Sequence, residues 1–335
     1  MHPPPGPLHP RAARAPLVRP GCVDKSGTVV DQRTTPDADV PGTTSSALTW
    51  LPWVLRLAWI ATGVAGSTAI SEAVTDRSDA TAAVVTWSAA AAWVAGVAAM
   101  AVPATVSLTA TRVIVPLSVV AAVGTLVAGA SVTSGLVFAA LALAATAVAG
   151  SGDLGRVFVQ ASAYGNEERF LLRPPLGFAI AAVLAWAVWA AALVAGVVLS
   201  ASGIWFGGPP LVLVAAVATV LFGRRWHLLA RRWLVFVPAG LVLHDQVMLG
   251  ETVMLRGSQL ERLRLAPADT EALDLTGPSS GHAIEVTVRD TATVLLPPTR
   301  EQPTGRAVHV RSFLAGPTRP GSALAAAARR RLTVG

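Results

Sequence analysis

The side chains that could do chemistry in this chain are concentrated in two polar stretches. Residues 151–175 combine acids and arginines with the only tyrosine, and residues 223–245 carry four arginines with no acid before position 245. Carboxylates can exchange protons with a substrate, and a group of acids and arginines can bind a polar headgroup. The candidates for contact with a headgroup or a partner are Tyr164, Glu167, Glu168, Arg169, Arg173, Arg224, Arg225, Arg231 and Arg232.

Three roles are open for the polar residues of 151–175. They could bind a lipid headgroup or dock a soluble domain, because 25 residues exceed what a simple connection needs. Alternatively, Glu167 and Glu168 pair with nearby arginines and fasten an amphipathic helix at the membrane surface, which is the favoured interpretation. The arginines of 223–245 are interpreted as residues that fix the topology, because most multi-pass proteins carry such a cluster at the membrane surface.

Motifs of catalytic or metal-binding chemistry are absent from the sequence. The six histidines are scattered without the spacing of a metal-binding pair, and Cys22 is the only cysteine. His244 and Asp245 are adjacent, but no nucleophile stands beside them, so both are interpreted as turn residues. The sequence therefore predicts no catalytic residue, no metal site and no cofactor.

The composition places most of the chain in a membrane. Of its 335 residues, 53% are hydrophobic and 13% are charged, whereas soluble proteins carry roughly 25% charged residues. Lys25 is the only lysine among 26 basic residues, and the net charge of +7 matches the arginines of 224–232 and 329–331. Such local clusters fit a membrane surface better than a nucleic acid, so no nucleic-acid partner is expected.

Two regions precede the second polar stretch. Residues 1–48 contain nine prolines and no hydrophobic period, which predicts a disordered tail rather than a signal peptide. Residues 49–223 hold apolar stretches that approach the ~20 residues needed to cross a bilayer. Six spans are predicted, at 51–74, 81–102, 113–130, 135–150, 177–200 and 203–222. The third and fourth are short, so a count of five stays open.

Loop charges orient the predicted bundle. The link after the first span is net negative, and the links after the third and fifth spans are uncharged. Arg112 and the arginines of both polar stretches lie on the opposite side. By the positive-inside rule that side is cytoplasmic, which places both termini in the cytoplasm.

Residues 224–335 are predicted to form a small, mainly-β domain. WLVFV and GLVLH flank Pro238 and Ala239 as in a hairpin, and short alternating stretches follow, most clearly at 284–289. Residues 322–332 are rich in alanine and contain arginines near their end, which favours a helix. Seven or eight strands closed by this helix would make a small barrel or a split sandwich.

Two stretches of the sequence carry a resemblance to known proteins. RRWLVFVPAGLVLHD, at 231–245, followed by the strands and the terminal helix, resembles the PH-like β-domains of some bacterial membrane proteins. Together with SAYGNEERFLLRPP, at 162–175, it is similar to an uncharacterised family of actinobacterial multi-pass membrane proteins, over about residues 50–332. The resemblance implies a PH-like barrel and a plasma-membrane location, and it implies no catalytic residue.

Three functions are compatible with this organisation. The preferred hypothesis is a non-enzymatic scaffold or regulator that presents the β domain at the cytoplasmic leaflet, with the bilayer and another envelope protein as partners. A transporter or channel subunit is disfavoured, because predicted spans two to six have no ionisable residue at their centres. A membrane enzyme for lipid-linked substrates requires Glu167, Glu168 and Arg169 to converge on a cleft open to the headgroups.

Overall fold

The computed structural model describes residues 48–335, and six of its helical segments are long and apolar enough to cross a membrane. The six segments are Leu51–Val74, Asp79–Ala101, Thr105–Val127, Val132–Gly150, Leu176–Ala201 and Gly208–Ala230. The predicted multi-pass architecture is therefore confirmed. The tail predicted for residues 1–48 lies outside the described residues, apart from position 48.

The third span differs most from its prediction. It begins at Thr105 rather than at 113, and it consists of helices α3 (Thr105–Ile114) and α4 (Leu117–Val127). The two helices part at Pro116, which has no backbone N–H to continue the helical hydrogen bonds. The sequence interpretation placed Arg112 outside the spans, but Arg112 lies in α3.

The other helices keep close to their predicted positions, except for α6, whose bounds were not predicted. They are α1 (Leu51–Val74), α2 (Asp79–Ala101), α5 (Val132–Gly150), α6 (Gly152–Gln160), α7 (Leu176–Ala201), α8 (Gly208–Ala230) and α9 (Pro320–Arg329). Helix α8 continues past the predicted end of the sixth span through the arginines at 224 and 225. The terminal helix, predicted at 322–332, starts earlier because Pro320 suits the first turn, and it ends before Arg331, whose φ is 58°.

Arginine side chains close the ends of two membrane helices. Arg56 donates to the carbonyls of Met100 and Ala101 at the end of α2, over 2.9 to 3.2 Å. Arg112 donates to the carbonyls of Ala149 and Ser151 at the end of α5, both at 3.2 Å. The last carbonyls of a helix have no partner within the helix and carry the negative end of its dipole. These contacts explain how a guanidinium is tolerated in a span.

A pair of tryptophans joins α1 to α2. The Nε1 of Trp59 donates to the Trp93 carbonyl at 3.0 Å, and the Nε1 of Trp93 donates to the Trp59 carbonyl at 3.1 Å. A Cβ atom on Gly63 would lie 2.3 Å from the Trp93 ring, and one on Gly96 would lie 2.5 Å from the Trp59 ring. The absence of a side chain at both glycines therefore lets the indoles reach the opposite backbone.

The β domain consists of two four-stranded sheets and α9. In the first sheet the neighbours are, in order, β1 (Glu168–Leu171), β2 (Arg232–Val237), β3 (Gly240–Asp245) and β4 (Val253–Arg256). In the second they are β5 (Leu260–Leu265), β7 (Ile284–Leu296), β8 (Arg306–Ala315) and β6 (Leu273–Asp274). All neighbouring strands are antiparallel except β6 and β8. The predicted hairpin is β2–β3, and the stretches predicted on either side of residue 290 form the single strand β7.

One hydrophobic core lies between the two sheets and under α9. Its largest buried side chains include Phe170, Leu234, Phe236, Ile284 and Phe313, and α9 adds alanines 323, 326 and 327. The sheets meet at one corner through a bridge between residues 172 and 317, but the strands do not close into a barrel. The predicted barrel is corrected to two open sheets around a shared core.

Candidate functional site

The polar segment 151–175 lies across the end of the bundle and becomes part of the β domain. Its first half is the amphipathic helix α6, whose N-cap is Ser151: the Ser151 Oγ accepts a hydrogen bond from the Leu154 amide at 3.2 Å. Helix α6 contacts α1, α3 and α5, and buries Leu154, Phe158 and Val159 in the bundle core. The second half of the segment 151–175 supplies β1, the edge strand of the first sheet.

Backbone hydrogen bonds hold β1 on both of its edges. On one side β1 pairs with β2, and the Leu172 amide donates to the Arg232 carbonyl at 2.9 Å. On the other side, the Thr318 amide donates to the Leu171 carbonyl and the Arg173 amide donates to the Gly316 carbonyl, both at 2.8 Å. The segment therefore connects the helical bundle to the β domain.

The acids of this segment pair with arginines. Glu167 lies 2.5 Å from the Nη2 of Arg169, whose guanidinium stacks 5.3 Å from the centroid of the Trp233 ring. Glu168 is buried and lies 2.7 Å from Arg329 and 3.8 Å from Arg330, both at the end of α9. Glu167 therefore pairs with Arg169, and Glu168 pairs with the arginines at the end of α9. These side chains do not converge on an open cleft.

The remaining sequence candidates take different positions. Tyr164 is 84% exposed, and Arg224 and Arg225 are exposed on α8. Arg231 is half-buried between α8 and β2, and Arg173 donates from its Nη2 to the His282 carbonyl. The candidates do not gather into one site: the structure joins Glu167 to Arg169 and Arg173 to Arg232, and leaves the others apart.

A buried ion pair at the base of the β2–β3 hairpin was missed by the sequence interpretation. Arg232 and Asp245, each with 1% side-chain exposure, form two hydrogen bonds of 2.7 Å. Arg232 also donates to the Arg173 carbonyl at 2.7 Å, and Asp245 accepts from the amides of Val247 and Met248. A signal existed: a two-residue turn at 238–239 pairs 237 with 240, and the same register pairs 232 with 245.

A second set of contacts fastens α9 to α6 and β1. Arg319, just before α9, holds Asp153 of α6 with two hydrogen bonds, one of them 2.7 Å long. These bonds lower the pKa of Asp153. At the other end of α9, Arg329 contacts Glu168 and Arg330 donates to the Asn166 carbonyl. More than 160 residues separate these partners along the chain, so no local pattern indicated them.

His244 of β3 lies in a half-buried stack on the outer face of the first sheet. Its ring centroid is 5.0 Å from that of Trp233, and its Nδ1 is 3.0 Å from the Thr252 hydroxyl. Burial lowers the pKa of His244, and Arg231 and Arg169 lower it further, against an opposing effect of the neighbouring carboxylate at 245. Protonation of His244 is therefore less favourable in the folded protein than in the unfolded chain.

Acidification is expected to weaken the β domain through His244. Because the folded pKa lies below the ordinary value near 6.5, the stability contributed by neutral His244 is complete above that pH and is lost as the pH falls through the folded pKa. Chemical unfolding measured from about pH 7.5 to 5 should therefore show a smaller loss of stability in His244→Gln than in the wild type.

The matched control is His309→Gln, because His309 is exposed on β8 and its Nδ1 also lies 3.0 Å from a threonine hydroxyl. This variant should keep the wild-type dependence on pH. Equal pH slopes for His244→Gln and the wild type would refute the assignment.

Neither a search for metal-binding side chains nor a comparison with known proteins indicates a chemistry for this site. Within residues 48–335, no group of three or more His, Cys, Asp or Glu side chains could hold a metal ion. Comparisons of the whole chain with protein-family models, with curated proteins and with solved structures find no match.

Proposed function

We propose that this chain is a non-enzymatic membrane scaffold or regulator whose helical bundle presents the β domain in a fixed orientation at one membrane face. The observation that carries the proposal is the origin of β1. This strand comes from the segment between α5 and α7, while the other seven strands follow α8. The β domain is thus attached to the bundle at two separate points of the chain.

The second attachment, between α8 and β2, is short. Only Arg231 separates the end of α8 from β2, so no flexible linker intervenes. A domain that serves only as a tethered binding module does not need such a connection. Fixed presentation suits a protein that holds a partner at a defined height and angle above the bilayer.

The proposal includes an orientation in the membrane, which the distribution of charges supports. The side chains of Arg224 and Arg225 lie exposed near the β domain, whereas Glu72 lies in the last turn of α1 and Asp76 just beyond it. By the positive-inside rule we infer that the β domain and both termini are cytoplasmic. The proposed plasma-membrane location rests on the sequence resemblance. We further propose that the β domain, two sheets followed by a C-terminal helix, is PH-like and that its partner is another envelope protein.

Affinity purification from native membranes tests this function. The full chain is compared with a chain truncated after Arg231, and co-purifying proteins are identified by mass spectrometry. Because truncation also strips β1 of its neighbours, a third sample carries Val286→Asp, which places a charge at a fully buried core position but keeps every segment.

The scaffold proposal expects a protein partner that accompanies the full chain and is lost from both altered chains. Identical partners for all three chains would move the function into the bundle and overturn the proposal. Loss upon truncation alone would show that the partner needs the segment rather than the folded domain, which also contradicts it.

A further inference from the structure

Arg156 is a buried arginine without a partner at the junction of the bundle and the β domain. It lies in the second turn of α6, is 8% exposed, and places its guanidinium 4.6 Å from the centroid of the Phe170 ring. Within residues 48–335 that guanidinium makes no hydrogen bond and no ion pair. A guanidinium has five N–H donors, and those of Arg156 have no acceptor among the described residues.

The surroundings of Arg156 carry an excess of positive charge. Burial is the main cause of its lowered pKa; Glu168 and Asp153 oppose this effect, whereas Arg329 and Arg319 reinforce it. Both carboxylates are already engaged by the arginines of α9. Arg330 adds a further positive charge beside Glu168, so four guanidiniums face two carboxylates.

Donor capacity also remains on the neighbouring arginines. The Nε of Arg330 is buried and has no hydrogen-bond partner. The side chains of Arg319 and Arg329 are 58% and 43% exposed, so both reach solvent. A ligand with several acceptor oxygens and about two negative charges would complete this arrangement.

We propose that Arg156, Arg319, Arg329 and Arg330 bind a phosphate-type oxyanion, either free phosphate or the phosphate of a lipid headgroup. Guanidiniums bind phosphate oxygens through paired, charge-assisted hydrogen bonds. A phosphate monoester carries about −1.5 to −2 charges at neutral pH, which matches the local excess, whereas a phosphodiester headgroup carries a single negative charge and offsets part of it. This site binds its anion whether or not the β domain recruits a protein partner.

The position of the cluster brings a headgroup within reach. Helix α6 begins directly after α5 leaves the membrane, with Ser151 capping its first turn. Arg156 follows about one helical turn later, and a turn rises only ~5.4 Å. Both sources of phosphate are therefore accessible to the same guanidiniums.

The experiment compares Arg156→Met with Arg311→Gln in the full chain. Methionine preserves the apolar contact with Phe170 but removes the charge. Arg311 is exposed on β8, so its replacement changes the net charge equally without touching the cluster. In one arm, calorimetry follows inorganic phosphate binding in uncharged detergent at constant ionic strength; in the other, the unfolding temperature is compared in phosphatidylcholine nanodiscs with and without phosphatidylglycerol.

In at least one arm we expect the anion to bind and stabilise the wild type and Arg311→Gln. Arg156→Met should bind phosphate on the order of tenfold more weakly, or lose the stabilisation by phosphatidylglycerol. Without anion, its unfolding temperature should be close to that of the wild type, because Arg156 makes no hydrogen bond or ion pair that the substitution would remove. A response in the phosphate arm identifies a free oxyanion, and a response confined to the nanodiscs identifies a headgroup.

Equal responses of Arg156→Met and Arg311→Gln, or no response of the wild type in either arm, would overturn the proposal. Should Arg156→Met fail to fold, Arg329→Gln replaces it, because Arg329 is more exposed and belongs to the same cluster. Arg329→Gln should then weaken the anion response relative to Arg311→Gln, and equal responses of these two would again overturn the site.

Discussion

Asp245→Asn is expected to destabilise the β domain by about 3–5 kcal/mol, because it leaves the buried Arg232 guanidinium without its counter-ion. Both side chains are 1% exposed, so water cannot replace the lost charge. Arg232 also holds the carbonyl of Arg173, so the loss extends from the hairpin to the start of α7. Resistance of the β domain to protease at increasing urea concentration measures the effect in the intact protein.

Two further variants show whether this effect belongs to the ion pair. Asp290→Asn removes an exposed carboxylate in β7 and should leave the stability unchanged within about 0.5 kcal/mol. The double variant Arg232→Met with Asp245→Leu removes both buried charges and should recover much of the loss. The interpretation fails if Asp245→Asn is as resistant as Asp290→Asn.

Phe170→Ala is expected to cost the β domain about 3–5 kcal/mol, although Phe170 lies between two membrane spans in the sequence. Its ring is 1% exposed and meets Phe236 edge-on, with the ring centroids 5.8 Å apart. Removing it creates a cavity in the domain core and weakens the docking of β1. Protease cleavage within residues 232–335 should increase, while the helical content measured by circular dichroism should stay close to that of the wild type.

Phe178→Ala is the matched control for this variant. Phe178 lies eight residues further along, on α7, and is 53% exposed. Its replacement should leave the β domain resistant to protease. If Phe170→Ala also left it resistant, β1 would not be an integral part of the domain.

Much of the membrane part could be predicted from the sequence because its signals are local. Apolar length alone gave six spans, and the turn at Pro238 and Ala239 gave the β2–β3 hairpin. The third span was placed too late because Arg112 was taken to mark a loop. That error has a physical reason: the carbonyls at the end of α5 satisfy the guanidinium, and no sequence window contains both groups.

The candidate site could be predicted only in part, because most of its pairs are distant in sequence. The stretch ERFL is too short and too polar to indicate a strand, and its partner β2 lies some 60 residues further on. The contacts of α9 with Asp153 and Glu168 bridge even longer separations. The pair of Arg232 with Asp245 is the exception. The sequence interpretation missed this pair, although the hairpin register places the two residues opposite each other.

The origin of β1 also constrains how the protein is made. During synthesis the segment 151–175 emerges before α7 and α8 have entered the membrane, and long before β2 exists to pair with it. The first sheet can close only after the last two spans have been inserted and the chain has returned to the same face of the bilayer. Such late, non-local pairing is slow compared with helix formation. Completion of the β domain therefore depends on correct insertion of the bundle, and a chain with a misplaced span would be left with an unpaired strand edge for quality-control proteases to recognise.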